Sequence, residues 1–151
     1  MNSLGIYERT QKGKLWVVAV FMGVFGLGGA ALASASGEDV SGALYLSVIL
    51  SVLAIMALVL TFNRLSVAVT PGAVQLSFGW GWPRKTIQRS DIVSHHVVRN
   101  SPLLGWGIRW FKGGTMWNVW GLDAVELQLD TGKKFRIGTN DPEGLDAALS
   151  R

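Results

Sequence analysis

The sequence predicts a transmembrane α-helical hairpin of two spans, followed by an all-β barrel or sandwich of about seven to eight antiparallel strands with a C-terminal capping helix. Three observations predict this architecture. Residues 15–35 and 43–62 carry no charge, apolar side chains alternate along residues 64–138, and a helical spacing follows residue 140. Only 16% of the 151 residues are charged, against about 25% in typical soluble domains.

Each uncharged segment is long enough to cross a bilayer as a helix. The segments contain 21 and 20 residues, and about 20 apolar residues suffice for a hydrocarbon core of about 30 Å. The polar stretch SGEDVSG between them is short, so the two helices form an antiparallel hairpin. An alternative is a cleaved secretory signal peptide, because an apolar run and the stretch ALASAS follow KGK.

Basic residues flank the hairpin on one side only. Three of them precede the first span, namely Arg9, Lys12 and Lys14. The connecting loop carries Glu38 and Asp39 and no basic residue, whereas Arg64 and ten further Lys or Arg follow the second span. The positive-inside rule therefore predicts a multi-pass protein of the inner (cytoplasmic) membrane with both termini in the cytoplasm. The expected parts are a cytoplasmic segment 1–14, a hairpin 15–62 and a cytoplasmic domain 63–151.

Small residues in the first span predict close helix packing. Two pairs have the small-xxx-small spacing that lets helix backbones approach in lipid, namely Gly26 with Ala30 and Gly29 with Ala33. Ser47 and Ser51 share one face of the second span. We interpret these residues as the seam of the hairpin or of a homo-oligomer. No ionisable residue lies inside either span, so a transport path is not favoured.

Residues 63–151 show the period-2 alternation of half-buried strands. Apolar residues that share a strand face are Leu65, Val67 and Val69, then Val74, Leu76 and Phe78, then Val125, Leu127 and Leu129, and finally Phe135 and Ile137. The stretch KGG predicts a three-residue turn between GIRWF and TMWNVW. Glu126 and Asp130 are expected on the solvated face. Asp141 as N-cap, Pro142 and Glu143 predict the start of the terminal helix.

The stretch GWGIRW…GG…WNVWGLDAVELQLDTGKKFRIGTNDPEGLDAAL resembles bacterial two-span membrane proteins with a cytoplasmic pleckstrin-homology-like domain. The resemblance covers about residues 64–151 and extends to the pair of N-terminal spans. It implies a pleckstrin-homology-like barrel or sandwich, and it implies no activity, since that group is largely of unknown function. The familiar phosphoinositide-binding version of the pleckstrin-homology-like domain places Lys and Arg in the loop between its first two strands. Here that loop is the uncharged TPGA, which argues against inositol-phosphate binding.

The sequence offers no catalytic or cofactor-binding constellation. Cysteine is absent, which excludes disulfides, thiol catalysis and Cys-based metal sites. The two histidines, His95 and His96, are adjacent in a predicted strand and point to opposite faces, so one metal ion cannot easily use both. Ser90 and Asp91 near His95 show no nucleophile-elbow context. We therefore expect a protein that is not an enzyme and that has no metal or cofactor.

The best surface candidate is GWGWPRK, residues 79–85. Its Trp80, Trp82, Arg84 and Lys85 could contact the headgroup layer of anionic lipid; the alternative is a loop whose tryptophans fold back over the domain. Aromatic alternation makes residues 103–121 chiefly a structural hairpin, with three minor candidates for an exposed contact, namely Arg109, Trp110 and Lys112.

Two functions remain open at this point. The first is a protein-interaction module that holds another membrane or peripheral protein at the cytoplasmic membrane face, through exposed strand edges or grooves. The second is anionic-lipid binding or sensing through residues 79–85. A net charge of only +4 gives no reason to expect nucleic acid as a partner.

Overall fold

A computed structural model describes residues 5–14, 16–35 and 42–151. The elements in chain order are β1 (Tyr7–Lys12), α1 (Trp16–Ala35), α2 (Gly42–Phe62), β2 (Arg64–Val69), β3 (Ala73–Phe78), β4 (Arg84–Gln88), β5 (Ile92–Arg99), β6 (Gly107–Phe111), β7 (Gly114–Asn118), β8 (Asp123–Leu129), β9 (Lys134–Gly138) and α3 (Pro142–Leu149). Glu38 and Asp39, which carry the predicted charge of the hairpin loop, lie outside the described residues.

Helices α1 and α2 are long and apolar enough to span a membrane, and their side chains are almost entirely unburied by the rest of the chain. Their bounds agree with the predicted spans within one residue. The helices pack on each other at Gly26, where an added Cβ would lie 3.6 Å from Cγ1 of Val48. The Tyr45 hydroxyl donates a hydrogen bond to the carbonyl of Ala30.

The predicted seam is correct in part. Gly26 and Ala30 lie at the contact between the helices, whereas the Cβ position of Gly29 has no described atom within 4 Å. Ser47 and Ser51 are not part of the seam within the hairpin, because both are exposed and their hydroxyls donate to carbonyls of their own helix; their place in a homo-oligomer seam stays a prediction. Homo-oligomer contacts through Gly29 and Ala33 stay a prediction.

The strands of the described residues form two sheets. Sheet A has the order β1-β2-β3-β4, and sheet B has the order β5-β8-β9-β7-β6. One apolar core takes side chains from both sheets, among them Leu65, Leu76, Val125 and Ile137, and from α3, whose Leu145, Ala148 and Leu149 are buried. The alternation in β2, β3, β8 and β9 therefore predicted the core-facing residues correctly.

Of the two predicted alternatives, barrel and sandwich, the described strands do not form a closed barrel. The prediction that all strands are antiparallel is wrong, because β7 and β9 pair in parallel. The short connection after β7 reverses the chain into β8, and β9 then returns between them. A strand antiparallel to β8 at that position must run parallel to β7. The KGG turn is also shorter than predicted, because Gly114 already pairs with Phe111.

Strand β1 is an element that the apolar alternation did not predict. Its sequence YERTQK is mostly polar and occupies the edge of sheet A, where polar side chains are expected to discourage pairing between molecules. It pairs antiparallel with β2 in a register that ends at Lys12 and Arg64. Segments from both sides of the hairpin are thus neighbours in one sheet.

Strand β1 is also tied to the start of α3. Arg9 and Tyr7 both donate to the carboxylate of Asp141, at 3.0 and 3.2 Å, and Asp141 caps α3 as predicted by accepting from the Gly144 amide. Burial and the neighbouring Asp141 carboxylate raise the pKa of Tyr7 above its ordinary value, so the phenol stays neutral near pH 7.

Candidate membrane-surface site

The hairpin passes into the β-rich domain without a flexible linker. Only Asn63 separates α2 from β2, and its carbonyl accepts a hydrogen bond of 2.6 Å from the Gly13 amide on the other side of the hairpin. The Phe62 ring packs 5.0 Å from Phe78 in the core. The end of the domain nearest the hairpin, which we call the hairpin end, is therefore held directly against the helices.

The loop of residues 79–85 lies at this hairpin end. The Gly79 amide donates to the carbonyl of Arg64, and a Cβ added at Gly79 would lie 2.5 Å from the carbonyl oxygen of Thr61 in the last turn of α2. Gly79 also has a positive φ of 32°, which glycine adopts without steric cost. The contact places the loop beside the end of the apolar helix.

Both loop tryptophans project away from the protein. Trp80 is 82% exposed and Trp82 is 70% exposed, so neither ring folds back over the domain. Tryptophan is enriched where membranes meet water, because the ring is apolar and its N–H is polar. Two exposed rings beside an apolar helix are therefore suited to the headgroup layer.

The basic candidates of this loop occupy different places. Arg84 turns back into the loop and donates from Nε to the Gly81 carbonyl at 2.7 Å. Lys85, like Arg84, belongs to β4, and its Nζ lies 5.3 Å from the centre of the Phe135 ring. A third basic residue, Arg64, lies near the loop tryptophans, because it lines a cavity of about 370 Å³ together with Trp80 and Gly79. The sequence signal for Arg64 was its position directly after the second span.

The three minor candidates are spread along strands β6 and β7 and the turn between them. Arg109 lines a groove between α2 and β6, near the end of the domain that contacts the helices. Trp110 is largely exposed, and with Gly113 and Thr131 it borders a cavity at the opposite end of sheet B. Lys112 is exposed in the turn. The structure therefore does not bring these three side chains together as one patch.

Another tryptophan pair stands at the hairpin end of sheet B. Trp106 stacks on Trp120 with ring centres 4.8 Å apart, and Nζ of Lys14 lies 5.8 Å from the centre of the Trp120 ring. Trp16, at the start of α1, is exposed as well. Aromatic side chains thus lie on more than one side of the junction between the helices and the domain.

Glu126 is buried, contrary to the expectation of a solvated face. Its carboxylate is 2% exposed and accepts hydrogen bonds from Arg136 Nε at 2.6 Å and Lys134 Nζ at 2.8 Å. Burial by itself raises the pKa of this carboxyl, but the hydrogen bonds and charges of Lys134 and Arg136 outweigh it and hold the pKa below its ordinary value. Each polar atom of the carboxylate has a partner, which indicates a structural network.

His95 and His96 point to opposite faces of β5, as predicted. His95 Nδ1 lies 2.7 Å from the Asp146 carboxylate on α3, whereas His96 Nε2 lies 3.8 Å from Glu126. Within the described ranges, no three His, Asp or Glu side chains are grouped so that they could hold a metal ion. The contacts of both histidines therefore tie secondary-structure elements together.

Comparison with known proteins assigns no family to this chain. A scan of the sequence against models of known protein families finds no match, and a search among curated proteins finds no significantly similar relative.

Proposed function

We propose that this chain is a non-enzymatic integral membrane protein that holds a pleckstrin-homology-like domain against the cytoplasmic face of a bacterial inner membrane and contacts anionic phospholipid with residues 79–85. The observation that carries the proposal is the position of Trp80 and Trp82, both exposed beside Thr61 at the end of α2. If α2 spans the bilayer, its end lies at the headgroup layer, and the loop lies there with it.

Charge supports an anionic lipid over a neutral one. Arg64 and Arg84 are both exposed near the tryptophans, and each basic residue close to an anionic surface contributes about 1 kcal/mol. The described residues that line the Arg64–Trp80 cavity include no carboxylate. Lipid phosphates are therefore suitable counter-charges at this place.

A single introduced cysteine tests the loop contact, because the native chain has no cysteine. The full-length Trp82→Cys variant, labelled with a fluorophore in nanodiscs, should be quenched strongly by phospholipids that carry a nitroxide. A label at Thr131→Cys, in the exposed turn at the opposite end of sheet B, should be quenched weakly. Equal quenching at both positions would contradict the proposal.

The same labelled protein tests the preference for anionic lipid. Nitroxide-labelled phosphatidylglycerol should quench position 82 better than labelled phosphatidylcholine. Replacing Arg64 or Arg84 by Gln should reduce that preference about fivefold each, the factor that corresponds to about 1 kcal/mol per basic residue. Lys133→Gln, at the distant turn, is the matched charge control and should leave the preference unchanged.

A protein-interaction module is the second candidate function. The observation that favours it is Trp110, an exposed aromatic residue on β6, the edge strand of sheet B. An open edge can accept an added strand from another chain. This function would be favoured over lipid contact if position 82 is quenched weakly while a photo-crosslinker at position 110 captures protein in membranes.

A further inference from the structure

A second feature of the hairpin end is an apolar groove on the β6 side of α2. The groove has a volume of about 560 Å³ and is walled on one side by Leu58, Val59 and Phe62 of α2. The segment 105–109, which leads into and includes most of β6, forms the other wall. Ligand sites usually have volumes of about 300–1,000 Å³, so the groove is large enough for part of a lipid.

Glycine keeps the second wall open. Gly105 and Gly107 have positive φ values of 66° and 90°, which side-chain-bearing residues rarely adopt. A Cβ at Gly107 would meet no described atom within 4 Å. The backbone thus turns beside α2 without filling the space between the helix and the strand.

One cation stands at this groove. The Arg109 side chain is exposed, lines the groove, and makes no ion pair or hydrogen bond with any residue in the described part of the chain. The described residues that line the groove include no acidic residue. An unpaired guanidinium beside an apolar wall matches a ligand with a phosphate at one end and a hydrocarbon chain at the other.

We propose that this groove binds one anionic phospholipid from the bilayer, with an acyl chain along Leu58, Val59 and Phe62 and its phosphate at the Arg109 guanidinium. This inference rests on the membrane placement proposed above, because a groove beside the end of a membrane-spanning α2 lies at the depth of the lipid headgroups. It differs from the contact at residues 79–85, which is an open surface rather than a site for a single molecule.

Native mass spectrometry of the full-length protein tests this site. After delipidation, the wild type should bind one phosphatidylglycerol more tightly than phosphatidylcholine. Arg109→Gln should weaken phosphatidylglycerol binding about tenfold or more, as expected for loss of a hydrogen bond to a charged group. Leu58→Trp should reduce binding of both lipids by filling the groove.

Two matched variants control for charge and bulk. Lys112→Gln removes an exposed positive charge from the neighbouring turn, and Leu50→Trp adds the same ring to an exposed position two turns earlier in α2. Both should bind lipid as the wild type does. Wild-type binding by Arg109→Gln and Leu58→Trp would overturn the site, and so would an equal loss in the two controls. Quenching at position 82 reports the surface contact separately, so a failed groove leaves that measurement intact.

Discussion

A Gly114→Ala variant is expected to lose the pairing between β7 and β9 and to become less stable by about 3 kcal/mol, the upper range for overpacked sites. A Cβ at Gly114 would overlap the backbone carbonyl of Lys134. Backbone cannot move aside as a flexible side chain can, so β9 must shift. That shift would carry Phe135 and Ile137 out of the core.

Thermal unfolding of the full-length protein, with hydrogen exchange of the β9 amides, measures this effect. Gly72→Ala is the matched control, because its Cβ would meet no described atom within 4 Å and its φ is not in the left-handed region. We expect the control to stay within about 0.5 kcal/mol of the wild type. Unchanged protection of β9 in Gly114→Ala would show that the parallel pairing is not as tight as described.

A Glu126→Gln variant is expected to lose about 2 kcal/mol at pH 7, in the range for an unsatisfied partner of a buried charged group. Glutamine keeps the shape of the side chain but removes the charge that Arg136 and Lys134 both contact. The unfolding temperature should fall accordingly. Asp130→Asn removes an exposed carboxylate just after the same strand and should change the unfolding temperature little.

The pH dependence of this loss has a definite sign. The pKa of Glu126 is lower in the folded protein than in the unfolded chain, so its stabilisation is complete above the ordinary value of about 4.3 and disappears as the pH falls through the folded value. The gap between wild type and Glu126→Gln should therefore narrow below about pH 4. A gap of the same size at pH 7 and pH 3.5 would contradict this assignment.

The sequence predicted those parts of the fold that depend on local alternation. Leu65, Val67 and Val69 lie on one side of β2 and are buried, because a strand with one apolar face must cover that face. The uncharged helices and the Asp141 cap were predictable for similar local reasons. The polar strand β1 was not, because polar Arg9 and Gln11 share a face with Tyr7 and so break the apolar alternation.

Local sequence patterns do not predict which distant segments pair with each other in a sheet. Nothing in KKFRIGT indicates that β9 enters between β7 and β8, so the parallel pair was missed. The alternation predicted that Glu126 lies on the face of β8 opposite Val125 and Leu127. It did not predict that Lys134 and Arg136 of β9 cover this carboxylate and bury it. The loop at 79–85 was recognised as a candidate, whereas its contact with Thr61 depends on where β3 returns to α2.

We propose that the hairpin crosses the cytoplasmic membrane and leaves the domain on the cytoplasmic side. Single-cysteine variants of the cysteine-free chain test it most directly, using a membrane-impermeant maleimide on intact cells and on opened cells. We expect Glu38→Cys, in the predicted external loop, to be labelled in intact cells, and Thr131→Cys to be labelled only after the cells are opened. Labelling of Thr131→Cys in intact cells would show that the domain is not cytoplasmic.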